Sequence, residues 1–89
     1  MKHDIKQKAL RRLKILAGQI RGLQRMVESE KYCIDIIIQS LAAKHALSGM
    51  EDLILQNHLM THVIEQVKSG KSGRAAKEIL AIYKLSKTK

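Results

Sequence analysis

Residues 5–27 read IKQKALRRLKILAGQIRGLQRMV, and within them Ile5, Ala9, Leu13, Leu16, Ile20, Leu23 and Val27 recur at spacings of four and three. Such a stripe over more than three repeats predicts one long amphipathic helix, about residues 4–29. Lys8, Arg11, Arg12, Lys14, Arg21 and Arg25 occupy the rest of that cylinder, and the polar cluster ESEK (28–31) ends it. A second helix is predicted over about 33–67. Its apolar positions, among them Ile34, Ile37, Ile38, Leu41, Leu47, Leu53, Ile54, Leu59, Val63 and Ile64, cover more than one face, and Gly49 is its sole internal breaker. A helix of that kind packs on two sides. SGKSG (69–73) predicts a turn, and a short basic helix follows over about 74–85. The expected fold is therefore all-α, three helices in a single domain spanning 1–89.

Composition supports that class. The 89 residues contain no Pro, Trp or Phe and only two Tyr, so aliphatic side chains and Met supply the apolar mass. That suits packed helices and suits a sandwich or barrel poorly. A domain this small without disulfides commonly completes its core by oligomerising. No apolar run approaches the length of a membrane span and the N-terminus lacks a signal-peptide core, so no membrane partner is expected. The single cysteine, Cys33, has no intramolecular disulfide partner and implies the reducing cytoplasm.

The net charge of +9 is unevenly spread. Residues 1–25 carry eight Lys/Arg against Asp4 alone, and 67–89 carry seven against Glu78 alone, while 33–66 is mildly acidic. Basic outer segments around a near-neutral centre point to a polyanion, with nucleic acid first among the candidates and a merely solubilising surface as the alternative. With so few aromatics, stacking on single strands is disfavoured, which leaves contacts to duplex phosphates.

In NHLMTH (57–62), His58 and His62 stand four apart, on one helical face, and so can chelate one metal. Cys33 lies 25 residues before His58. At about 1.5 Å per residue, that is roughly 38 Å along a straight helix, too far for one chain to close. An antiparallel two-fold partner removes the difficulty, because Cys33 of one subunit then meets both histidines of the other, giving two equivalent sites. A small buried hydrophobe at a helix start is the competing reading of Cys33.

Four stretches together resemble the copper-sensitive operon repressor (CsoR/RcnR) family of bacterial metal-sensing repressors: RRLKILAGQIRGLQRMVE (11–28), YCIDIIIQSLAA (32–43), NHLMTH (57–62) and the basic tail helix. The spacing of 25 and then 4 is the family's own ligand spacing. The resemblance implies an antiparallel four-helix-bundle dimer, paired into a flat tetramer without a helix-turn-helix. Such a protein represses transcription by binding double-stranded operator DNA and leaves it when metal binds across the dimer interface. Carried over by position, Cys33, His58 and His62 become metal ligands. Tyr32 and Glu78 fall where copper members link a ligand histidine to the C-terminal helix, an arrangement in keeping with the usual carboxylate partner of a metal-bound imidazole. A local ion pair with Arg74 or Lys77 is the plainer role for Glu78. For DNA, Arg12 matches an operator-contact arginine and Lys44 falls where many relatives carry arginine. Lys8, Arg11, Lys14, Arg21 and Lys77 are phosphate contacts from charge alone.

Copper members mostly present Cys-His-Cys, whereas His62 replaces the second cysteine here. One thiolate with two imidazoles suits Cu(I), which needs only three ligands, and also Ni(II), Co(II) or Zn(II). Nickel/cobalt members add an N-terminal histidine, for which His3 is the candidate, at a distance from Cys33 about two residues shorter than theirs. YCIDI with Tyr32 and Glu78 favours Cu(I), with a nickel/cobalt sensor as the alternative. Persulfide sensing needs a second cysteine and formaldehyde sensing an N-terminal proline, and Lys2 stands there. Two rivals come from other classes. A thiol enzyme lacks an oxyanion loop and a pocket, and a metal-independent architectural DNA-binding protein is separated by its indifference to metal.

Overall fold

The computed structural model describes residues 1–87, and among them every regular element is helical. Helix α1 is His3–Glu28 and α2 is Cys33–His58. A π-helical turn, Leu59–Val63, follows α2 directly and leads into α3, Ile64–Lys68. Helix α4 is Ser72–Ser86. The expected first helix is met within a residue at each end. The second also runs to its expected limit, but its regular α geometry stops at His58. The third begins two residues early, because Ser72 and Gly73 join its first turn. Gly49 does not break α2, since a lone helical glycine costs only about 1 kcal/mol relative to alanine.

Both helix exits use the same hydrogen-bonded device. After α1, the Lys31 N–H donates to the Met26 carbonyl at 2.9 Å and the Glu30 N–H to that of Val27 at 3.1 Å, with Glu30 at φ 52°. After α3, the Lys71 N–H reaches the Gln66 carbonyl at 2.6 Å and the Gly70 N–H that of Val67 at 3.2 Å, with Gly70 at φ 80°. These paired bonds satisfy carbonyls a helix end leaves orphaned, and they require one left-handed residue. Gly70 adopts that conformation without strain, whereas Glu30 carries a Cβ there.

The chain divides into two compact units, Met1–Leu55 and Gln56–Lys89. In the first, the α1 stripe is only partly covered. Ala9 is buried and Ile5, Leu16 and Leu23 are half-buried, but Leu13, Ile20 and Val27 stay exposed at seven-residue intervals. On α2, Ala43 is buried while Ile34, Ile37, Ile38 and Leu41 are each more than half exposed. In the second unit Ala75 is buried, and Leu59, Met60, Ile64, Val67, Leu80 and Ile82 are exposed. No large side chain is fully buried among the described residues. Among the described residues the buried apolar positions are thus alanines, where a self-sufficient domain would have leucines, and many large apolar residues stay exposed.

Candidate metal centre and nucleic-acid interface

The second unit assembles the two histidines. His58 is the last residue of α2 and His62 lies in the π-turn. Their rings stack with centroids 5.3 Å apart and planes inclined by 30°. Imidazoles sharing an ion at metal–nitrogen distances near 2.0–2.1 Å have centroids about 5–6 Å apart, so this pair is already at chelating separation. The Thr61 hydroxyl donates to the Asn57 carbonyl at 2.7 Å, a back-bond of the kind that distorts helices, and it lies within the segment where the regular ladder gives way. Asn57, only 6% exposed, keeps a buried side-chain oxygen without a hydrogen-bond partner directly before His58. π-turns recur at functional sites.

Glu78 on α4 faces the same region. Gln66 on α3 donates its amide to the carboxylate at 3.1 Å, and the Arg74 guanidinium donates at 3.3 Å one turn away. The Gln66 hydrogen bond holds the Glu78 carboxyl below the usual range, opposed by partial desolvation and aided by the charges of Arg74 and His58. The local ion pair with Arg74 therefore exists, and Glu78 also lies within electrostatic reach of His58. The structure gives no direct hydrogen bond from Glu78 to either histidine.

Cys33 and Tyr32 belong to the first unit. Cys33 is the exposed first residue of α2. Tyr32, 70% exposed, caps that helix through its carbonyl, which accepts the N–H groups of Asp35 at 3.0 Å and Ile36 at 3.2 Å. His3 is the exposed first residue of α1. Among the described residues of one chain, no three His, Cys, Asp or Glu side chains cluster as a metal site.

The basic candidates are all exposed: Lys8, Arg11, Arg12, Lys14 and Arg21 on α1, Lys44 on α2 and Lys77 on α4. None has an ion-pair partner among the described residues, where Arg74–Glu78 is the one ion pair. Lys14, Arg21 and Arg25 align at spacings of seven and four, and Lys8, Arg11 and Arg12 form a second cluster. Cations without acidic partners are free to neutralise DNA phosphates and release the counterions condensed on the duplex. Arg12 differs from the rest, because its guanidinium leans onto α2 at Gly49.

Gln66, Asn57 and the π-turn were not anticipated. Gln66 was within reach, since 58, 62 and 66 share a helical face at steps of four. Asn57 stood out only as an amide in an apolar run, and nothing in LMTHV announces a π-turn.

An all-helical chain with paired imidazoles and surface cations unpaired among the described residues suits the metal-sensing repressor class, and the comparisons point the same way. The chain belongs to the metal-sensitive transcriptional repressor family, whose model matches residues 5–85. It is 37% identical over 79 residues to the copper-sensing transcriptional repressor CsoR of Bacillus subtilis, covering 89% of this chain and 78% of that one. It is 36% identical over 78 residues to the copper-sensing repressor RicR of Mycobacterium tuberculosis, covering 84% and 81%. The crystal structure of the copper-sensing repressor CsoR with Cu(I) from Geobacillus thermodenitrificans superposes with a TM-score of 0.91 at 30% identity, over 99% of this chain and 92% of that one. The expected family and all-α class hold, and the enzyme reading gives way to a family of repressors. Among the described residues no helix is long and apolar enough to cross a membrane.

Proposed function

We propose that this protein is a Cu(I)-responsive transcriptional repressor that binds double-stranded operator DNA without metal and leaves it when Cu(I) binds between subunits. The stacked His58–His62 pair carries the reading, and the relatives named as copper sensors support the choice of metal over nickel or cobalt. Cys33 of one chain and His58 and His62 of the partner would hold the ion. Bound there, Cu(I) supplies a soft centre content with one thiolate and two imidazoles. The residues of this chain do the rest. The π-turn holds the two rings at chelating separation. Gln66 and Arg74 keep Glu78 ionised beside His58, where a carboxylate orients an imidazole and raises its basicity. Glu78 sits on α4, so the state of the histidines is felt by the tail helix, and a coupling of about 1–3 kcal/mol is enough to shift an operator equilibrium. The outward-facing apolar residues of α1 and α2 support a homodimer, and the family architecture a homotetramer. A lone thiol ligand suits the reducing cytoplasm.

The test is a duplex recovered by the apo-protein from a random-sequence library, titrated separately with Cu(I), Ni(II), Co(II) and Zn(II). Release by Cu(I) at one equivalent per chain is expected. Release by Ni(II) or Co(II) but not Cu(I) favours the nickel/cobalt alternative, and release by none favours an architectural DNA-binding protein.

A further inference from the structure

The first unit contains an open groove of about 320 Å³ between α1 and α2, lined by Arg12 and Ile15 on one side and by His45, Ala46, Ser48, Gly49 and Asp52 on the other. Its polar members are a guanidinium, an imidazole, a hydroxyl and one carboxylate. A Cβ placed on Gly49 would stand 2.7 Å from the Arg12 Nη1 and 4.0 Å from its Cζ. The guanidinium therefore occupies the space that any other residue at 49 would fill. An arginine tip is mobile, so such a residue would move the cation rather than strain the helix. Gly22 on α1 and Gly73 on α4 meet nothing within 4 Å of a built Cβ, and Gly18 meets only the Arg21 Nη2 at an ordinary 3.7 Å, so this encroachment is particular to Gly49. Arg12 forms no ion pair with Asp52, and its charge remains available to an anion.

We propose that Gly49 is a positioning residue that seats Arg12 on α2, where the guanidinium, with His45 and Ser48 in the same groove, receives one backbone phosphate of duplex DNA. Ser48 and His45 can donate hydrogen bonds to a phosphate oxygen, and Arg12 supplies the charge-assisted bonds. Asp52, one turn beyond Gly49, is the one carboxylate of the lining, and the Arg12 charge must outweigh it for an anion to enter. The inference rests on the DNA-binding reading above and extends it from a list of cations to a shaped seat.

The experiment measures fluorescence anisotropy of a 40-base-pair random-sequence duplex across a salt series, for wild type, Arg12→Ala, Gly49→Ala, the double variant and Gly22→Ala. Thermal melting followed by circular dichroism accompanies each. Arg12→Ala and Gly49→Ala are expected to weaken binding and flatten the salt dependence by about one unit of slope per seat engaged. The double variant should be no weaker than Arg12→Ala alone. Gly49→Ala should melt at or above the wild-type temperature because alanine favours the helix, and Gly22→Ala should bind as wild type. A Gly49→Ala protein that binds with wild-type affinity and slope while Arg12→Ala is weakened overturns the seat and leaves DNA binding standing. An unaffected Arg12→Ala overturns the seat as well. Failure of the wild-type chain to bind duplex at all overturns both the seat and the proposed function.

Discussion

Replacing Ile37 by Ala should loosen the assembly by an amount the exposed surface fixes. Ile37 is 54% exposed in the chain, beside the similarly exposed Ile34, Ile38 and Leu41. The substitution removes three carbons, each worth about 0.8 kcal/mol when fully buried. With half of that burial awaiting a partner, the interface loses about 1.3 kcal/mol per chain. Two-fold symmetry applies the loss twice, giving about 2.6 kcal/mol, or roughly an eighty-fold rise in the dimer dissociation constant. Alanine's better helix propensity returns a few tenths of a kcal/mol where dissociation is coupled to unfolding. Sedimentation equilibrium over a range of concentrations measures the constant directly. Thermal melts at two concentrations should show the variant's midpoint depending more steeply on dilution. A dissociation constant unchanged within twofold would mean that this face of α2 is not an interface, and the account of how the chain completes its core would fail.

Cys33→Ala should bind duplex DNA as tightly as wild type and fail to leave it on adding Cu(I), as read by anisotropy; normal release would place the thiol outside the site. Glu78→Ala should weaken Cu(I) binding in a chelator competition by less than it reduces the metal-induced loss of DNA affinity. Equal losses in both measurements would contradict a role for Glu78 in transmitting the signal. Gly70→Ala places a Cβ at φ 80° and should cost about 1 kcal/mol. That corresponds to a melting temperature lower by about 4–8 °C for a chain of this size, and an unchanged midpoint would show that the turn relaxes.

The helical architecture was legible because each signal is local. The Ile5–Val27 stripe marks α1, the two-sided apolar pattern of 33–67 marks the following helical stretch, and SGKSG marks the turn at Gly70. The histidine pair was legible for the same reason, since a spacing of four fixes a shared face whether the turn is α or π. Features set by tertiary environment were not. The Thr61 back-bond belongs to a distortion of a few residues that propensity does not encode, and the Gln66–Glu78 bond joins positions twelve apart across a turn. The encounter of Arg12 with Gly49 appears only when two helices are brought side by side. Gly49 itself reads in sequence as a weak point of α2, whereas in the fold its missing side chain makes room for a cation. The boundary at Glu30 carries a related lesson, because a left-handed glutamate obeys the geometry of the helix exit against its own preference.

A complementation experiment addresses the shared centre most directly. Cys33→Ala chains and His58→Ala/His62→Ala chains are purified apart, then mixed and allowed to exchange subunits, with tight Cu(I) binding counted against a competing chelator. Each variant alone has no complete donor set. With ligands drawn from both chains, half of the mixed population is heterodimeric and each heterodimer regains one intact centre, so about a quarter of the wild-type capacity should return. If the thiol and the imidazoles of a centre come from one chain, or if they never meet, mixing restores nothing.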